Sequence, residues 1–149
     1  MLTKTLSRQT KTPSANDNKS GWYIIDARDR VLGRLAVVAA NLLMGKGKTT
    51  FTKFLDSGDH VIVINAKHVA VTGRKEAKPY YHHSGFPGGL KETSLAKLRK
   101  TYPDRIIKSA IKGMLPKNKL NAIHIKKLHI FEGDTHTYED KNPMEVKIG

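Results

Sequence analysis

The segment Gly45-Lys46-Gly47-Lys48-Thr49-Thr50 holds the residue types with which phosphate loops cradle a nucleotide: glycines that free backbone amides, then lysine and hydroxyls. The match to such a loop fails at two points. The position five before Gly47 is Leu42 instead of glycine, and the segment follows a helical pattern where the mechanism needs a strand before it and a helix after it. A basic loop closing a helix and touching a nucleic-acid phosphate fits these residues better. A small nucleotide-using enzyme built on Gly45 to Thr50 is the alternative, and it predicts saturable ATP or GTP binding lost in Lys48→Ala.

The 7 histidines raise metal binding, yet only His82 and His83 are adjacent, and on a strand they point to opposite faces. His60, His68, His124, His129 and His136 have no ligand spacing and read as exposed or hydrogen-bonded side chains. Ser84 lies in His-His-Ser-Gly-Phe, which is not the elbow that raises a nucleophile above a sheet. Asp26 with Asp29, and Asp56 with Asp59, border turns where aspartate satisfies backbone amides. With no cysteine, disulfides, thiolate metal sites and cysteine nucleophiles are excluded. No cofactor site is expected.

Charge is the stronger signal. In 149 residues, 27 Lys and Arg face 13 Asp and Glu, a formal net charge of +14, while 38% hydrophobic content is enough for a folded core. Arg99 to Lys127 carries nine basic residues, Lys108, Lys112, Lys117 and Lys119 among them, against Asp104 alone. Lys46, Lys48 and Lys53 form a second cluster, and Arg74, Lys75 and Lys78 a third opposed only by Glu76. A solubility surface would mix signs, so these clusters point to one extended polyanion such as a folded RNA. Tyr80, Tyr81, His82 and His83 beside the third cluster could stack on exposed bases, with one tyrosine equally suited to core packing. Trp22 reads as a core anchor.

The elements that would position these residues follow from periodicity. Trp22 to Asp26 reads as the first strand, and Leu32 to Met44 as an amphipathic helix closed by Gly45 and Gly47. Val61 to Ile64, without polar alternation, reads as a strand covered on both faces. Val69 to Val71 and Pro79 to His83 look like further short strands, with Gly85 to Gly89 as a connection. From Ser94 to Leu115 the chain turns helical, Pro103 opening a second helix whose apolar side is Ile107, Ala110, Ile111 and Met114, opposite Arg105, Lys108 and Lys112. A helical piece near Lys119 to Ile125, a strand from Leu128 to Phe131 and a polar tail complete the chain. The expected fold is a three-layer α/β/α sandwich with a mainly parallel four-stranded sheet.

The longest nearly apolar run, Leu35 to Met44, is ten residues. A membrane helix needs roughly 17 to 25. Residues 1–20, with Lys4, Arg8, Lys11 and Lys19, could pass for an organelle transit sequence but lack an apolar helical face. They read as a retained basic arm that orders on a partner, leaving residues 21–149 as a single domain.

Taken in order, Trp22-Tyr23, Leu32-Gly33-Arg34-Leu35-Ala36, Gly45-Lys46-Gly47-Lys48, Ile64-Asn65-Ala66, Val71-Thr72-Gly73, Tyr80 to Gly85 and Lys112 to Lys117 resemble the universal large-subunit ribosomal protein thirteen family, in its bacterial form. The resemblance runs from Trp22 to about His136. It implies a non-catalytic constituent of the large ribosomal subunit that joins early in assembly and packs on large-subunit rRNA. Neighbouring proteins of the L-three and L-twenty families are implied as partners, with no membrane and no small-molecule substrate. The implied location is the cytoplasmic ribosome, with an organelle ribosome as the alternative. A free regulatory RNA-binding protein of the same fold is the other alternative.

Matching the family's RNA-facing segments implicates Arg34, Lys46, Lys48, Arg74, Lys75, Tyr81, His82, His83, Lys112, Lys117 and Lys119, to which the charge clusters add Lys53, Lys78 and Lys108. Three departures stand out: Lys53-Phe54 where the family has Pro-His, Asn121-Ala122 where it has Gly-Arg, and His136-Thr137-Tyr138 where it has His-x-His. The first adds charge and the second removes an arginine. The third makes the tail a poorer phosphate ligand.

Overall fold

The computed structural model describes residues 13–14, 18–73, 75 and 78–148. The basic residues Lys4, Arg8 and Lys11 of the N-terminal arm, and Arg74, lie outside the described residues. In chain order the elements are β1 (Trp22–Asp26), α1 (Leu32–Met44), β2 (His60–Ile64), β3 (Pro79–His83), β4 (Leu90–Ser94), α2 (Leu95–Thr101), α3 (Pro103–Met114), α4 (Leu120–Lys126), β5 (Leu128–Ile130) and β6 (Met144–Glu145). One-turn 3₁₀ helices sit at Ala66–His68 and Glu139–Lys141. Among the described residues, no helix is long and apolar enough to cross a membrane.

The fold is α/β, built on a four-stranded sheet of order β5-β2-β1-β6 in which every neighbouring pair is parallel. Parallel neighbours need crossover connections, and β1-α1-β2 and β2-to-β5 both step outward in one direction. The β5-to-β6 connection must step back across β2 and β1, so it covers the opposite face. Its ring contacts agree: Tyr138 lies 5.0 Å from Trp22 and 4.5 Å from His129. That second outer layer is thin, carrying only a single turn of 3₁₀ helix.

On the helical face, Leu35, Ala39 and Leu43 of α1 pack with Ile25, Val61, Val63 and with Ile107 and Ile111 of α3. Each buried Leu, Ile or Val among them contributes about 2 kcal/mol on burial. A second cluster, Leu95, Leu98 and Ile106 with Tyr80 against it, fastens α2 and the root of the β3-β4 hairpin to α3. α3 therefore has two buried faces, and only its third, with Arg105, Lys108 and Lys112, is open. For this reason Ile106 is buried, whereas Met114, expected on the apolar side, is 40% exposed.

Three sequence expectations need correction. Val69 to Val71 is no strand: Ala70 makes an isolated bridge to Val31 and serves to tie down the entry to α1. Pro79 to His83 is a strand but pairs antiparallel with Leu90–Ser94, a strand not anticipated, in a hairpin separate from the main sheet. The tail is not merely polar, because β6 completes the sheet and Ile148 enters the core at 6% exposure.

Candidate nucleic-acid interface

The exposed flank of α3 and the β3-β4 hairpin form the walls of one groove. Pro103 starts the helix, where its missing amide costs nothing, and the three- and four-residue spacing of Arg105, Lys108 and Lys112 stacks them along one side. Tyr81 and His82 of β3, both exposed, also line this groove. A second groove, between the hairpin root, the start of α1 and α3, is lined by Lys75 and Lys78. The Lys78 ammonium lies over the Tyr80 ring, 5.7 Å from its centroid, and burial pushes the Tyr80 hydroxyl above the ordinary tyrosine range. A third, between the segment after α1 and the α3-α4 connection, has Lys46 and Lys53 at its walls. A shallower surface joins Lys112 to Lys117.

These surfaces are contiguous. Ser109 lines the first and second, Met114 the second and third, and Lys112 the first and the shallow one. Tyr81, His82, Lys46, Lys53, Lys75, Lys78, Lys108, Lys112 and Lys117 thus form one band around α3. Among the described residues, none of its lysines is held in an ion pair. Such free cations can neutralise phosphates, and Tyr81, 62% exposed, offers a ring face to a base.

Other candidates lie elsewhere. Arg34 is exposed on α1, and Lys119 is exposed at the start of α4. His83 is exposed on the opposite side of β3 from His82, its Nδ1 accepting the Gly85 amide at 3.0 Å. Lys48 is turned inward: Nζ donates to Asp59 Oδ1 at 2.5 Å, to the Ser57 carbonyl at 3.0 Å and to the Lys19 carbonyl at 2.8 Å. Its ammonium is thereby occupied, and Gly45 caps α1 in the left-handed region, so the Gly45–Thr50 segment ends a helix instead of cradling a phosphate ahead of one.

Three features were not singled out as sites from the sequence. Arg105 lines the first groove, and its spacing from Lys108 and Lys112 was the available signal. Asp56 accepts from Lys127 at 2.7 Å and from the Gly58 amide at 3.2 Å, while Lys127 also reaches the Gly58 carbonyl at 2.9 Å. Burial alone would raise the Asp56 carboxyl, but these hydrogen bonds and the nearby charges of Lys127 and His124 outweigh it and hold it below the usual carboxylate range. The third is a ring stack on the thin-layer face: Trp22 lies 4.2 Å from His60 at an interplanar angle of 9° and 5.7 Å from His129. Burial lowers both histidines, the charge of Lys127 adding to this at His60 and that of His60 at His129. No group of three or more potential metal ligands occurs among the described residues.

Fold and surface together define a basic α/β protein with a band of free cations around one helix. The sequence profile described as Ribosomal protein L13 matches residues 20–137, and the chain belongs to this family. It is 53% identical over 140 residues to the large ribosomal subunit protein uL13 of Bifidobacterium adolescentis, covering 94% of each chain. To the protein of the same name from Pelobacter propionicus it is 51% identical over 141 residues, covering 94% of this chain and 99% of that one. The uL13 of Mycobacterium leprae is 49% identical over 140 residues, covering 93% and 95%. The family is structural and non-catalytic, and this chain is a ribosomal protein of the bacterial type.

Proposed function

We propose that the chain binds large-subunit rRNA through the band around α3, holding separate RNA segments in fixed relation during early assembly of the subunit. The observation that carries this reading is the continuity of unpaired lysines across the grooves that share Ser109, Lys112 and Met114. Neutralising crowded phosphates releases counterions, and the packed core beneath α3 keeps the cations in register. Specificity arises from RNA shape and from Tyr81 and His82 at unstacked bases more than from base edges in a duplex. Residues 21–149 act as one domain, and the arm, residues 1–20, orders on RNA. Neighbouring proteins of the L-three and L-twenty families complete its surroundings in the cytoplasmic ribosome.

The test is a sucrose-gradient profile of native lysate at moderate and then high salt, for the natural chain and for Arg105→Ala/Lys108→Ala/Lys112→Ala. The natural chain is expected to co-migrate with large subunits and their precursors at both salts, and the variant to be lost from them at high salt. Migration of the natural chain at the top of the gradient would overturn the reading in favour of a free RNA-binding protein.

A further inference from the structure

The main sheet ends on one side at β6, beside which no further strand lies among the described residues. The Val146 amide donates to the Ile24 carbonyl at 2.9 Å, so Val146 turns its main chain inward to β1. Main-chain polar groups alternate in direction along an extended chain, which leaves those of Glu145 and Lys147 aimed outward. Their side chains share one face, opposite the partly buried Val146. Charges of both signs flank this edge. Glu139 and Asp140 stand just before β6, while Arg28 and Arg30 line a crevice with Lys147 and Ile148 at its far end. Arg28, Arg30, Glu139, Asp140, Glu145 and Lys147 are all exposed, and none of them is in an ion pair among the described residues. An unpaired edge is a template for another strand.

We propose that this edge pairs antiparallel with the same edge of a second copy of the chain, about a two-fold axis at Val146. Such pairing sets Glu145 opposite Lys147 of the second copy, and Lys147 opposite its Glu145, where the outward amides and carbonyls can exchange hydrogen bonds. It also brings the start of each β6, with Glu139 and Asp140, to the end of the other, with Arg28 and Arg30. A two-fold interface must be self-complementary, and this edge matches itself in sign at both places. The pairing joins the two four-stranded sheets into one and covers both open edges. The inference goes beyond RNA binding and does not depend on it. An RNA backbone would be repelled by Glu139, Asp140 and Glu145, and a purely basic segment of another protein would leave Arg28, Arg30 and Lys147 unmatched.

The test is sedimentation velocity of the full, nuclease-treated chain. Concentrations up to about 0.5 mM should show a reversible monomer-dimer equilibrium, as a short interface implies. Glu145→Lys and Lys147→Glu should each weaken association about tenfold, since either change turns both cross-strand pairs repulsive. An equimolar mixture of the two single variants should recover it, because the lysines of one copy then face the glutamates of the other. The exchanged chain Glu145→Lys/Lys147→Glu should recover it as well. Thermal unfolding of every variant should match the natural chain, so that lost pairing is not lost folding. A natural chain that stays monomeric throughout would overturn the proposal and leave the edge to an extended segment of another protein. Dimers that tolerate both single variants, or a mixture that fails to associate, would also overturn it.

Discussion

Two lysine-rich regions that look alike as strings of letters do opposite work in the folded chain. Around α3, Lys108, Lys112, Lys46 and Lys53 end in solvent with no ion pair among the described residues. At the entry to β2, Lys48 and Lys127 are held by Asp59, Asp56 and backbone carbonyls, and Arg99 likewise donates to the Val69 carbonyl at 2.7 Å. The difference lies in which acids folding brings within reach. Asp59 is 11 residues from Lys48, and the Gly58 carbonyl is 69 from Lys127. A local charge count registers neither pairing.

The brace region should fail structurally where the α3 band fails only in binding. Gly58 is the most severe case, because a Cβ there would collide with the main-chain carbonyl of Leu43, which cannot swing aside. Gly58→Ala should cost more than about 4 kcal/mol, read as loss of the cooperative thermal transition. A native transition temperature would show that the loop has slack. Lys48→Ala comes next: it leaves the Asp59 carboxylate, 4% exposed, without its cation and frees the Lys19 carbonyl. A loss of about 3 kcal/mol in urea unfolding is expected, and a change below about 0.5 kcal/mol would reassign Lys48 to the surface set.

The smallest effect is the pH dependence of the same region. Burial lowers His124, Asp56 opposing and Lys127 assisting, and burial also lowers His60 and His129. The unfolded chain therefore binds more protons below the ordinary imidazole value of about 6.5. Stability is full above that value and falls as pH drops toward the folded pKa values. Depressed Asp56 acts lower down, its contribution present above the ordinary carboxylate range and lost as pH falls through its folded value. Urea midpoints should decline from pH 7 to pH 5, less steeply in His124→Gln; a flat natural profile would contradict the lowering of these imidazoles by burial.

Local pattern made much of this molecule legible. The period of Leu35, Ala39 and Leu43 marks α1, the unbroken Val61-Ile62-Val63 run marks a doubly covered strand, and Pro103 marks the start of α3. What stayed hidden depends on long-range pairing. β6 is two residues long and takes its place only by lying beside Tyr23 and Ile24, and β4, Leu-Lys-Glu-Thr-Ser, lacks apolar alternation because its hairpin is largely exposed. The site divides the same way. As candidates, Lys108 and Lys112 were readable from helical spacing, whereas the inward turn of Lys48 needs the approach of Asp59.

The most direct test of the contrast between free and braced cations is the salt dependence of binding to large-subunit rRNA, measured for the natural chain, Arg105→Ala/Lys108→Ala/Lys112→Ala and Lys48→Ala. If the α3 cations displace counterions, the slope of log affinity against log salt should flatten by about 2 to 3 in the triple variant, which should stay as stable as the natural chain. Folded Lys48→Ala should keep the natural slope. An unchanged slope in the triple variant, or an equal loss in Lys48→Ala, would contradict the division of labour between the two regions.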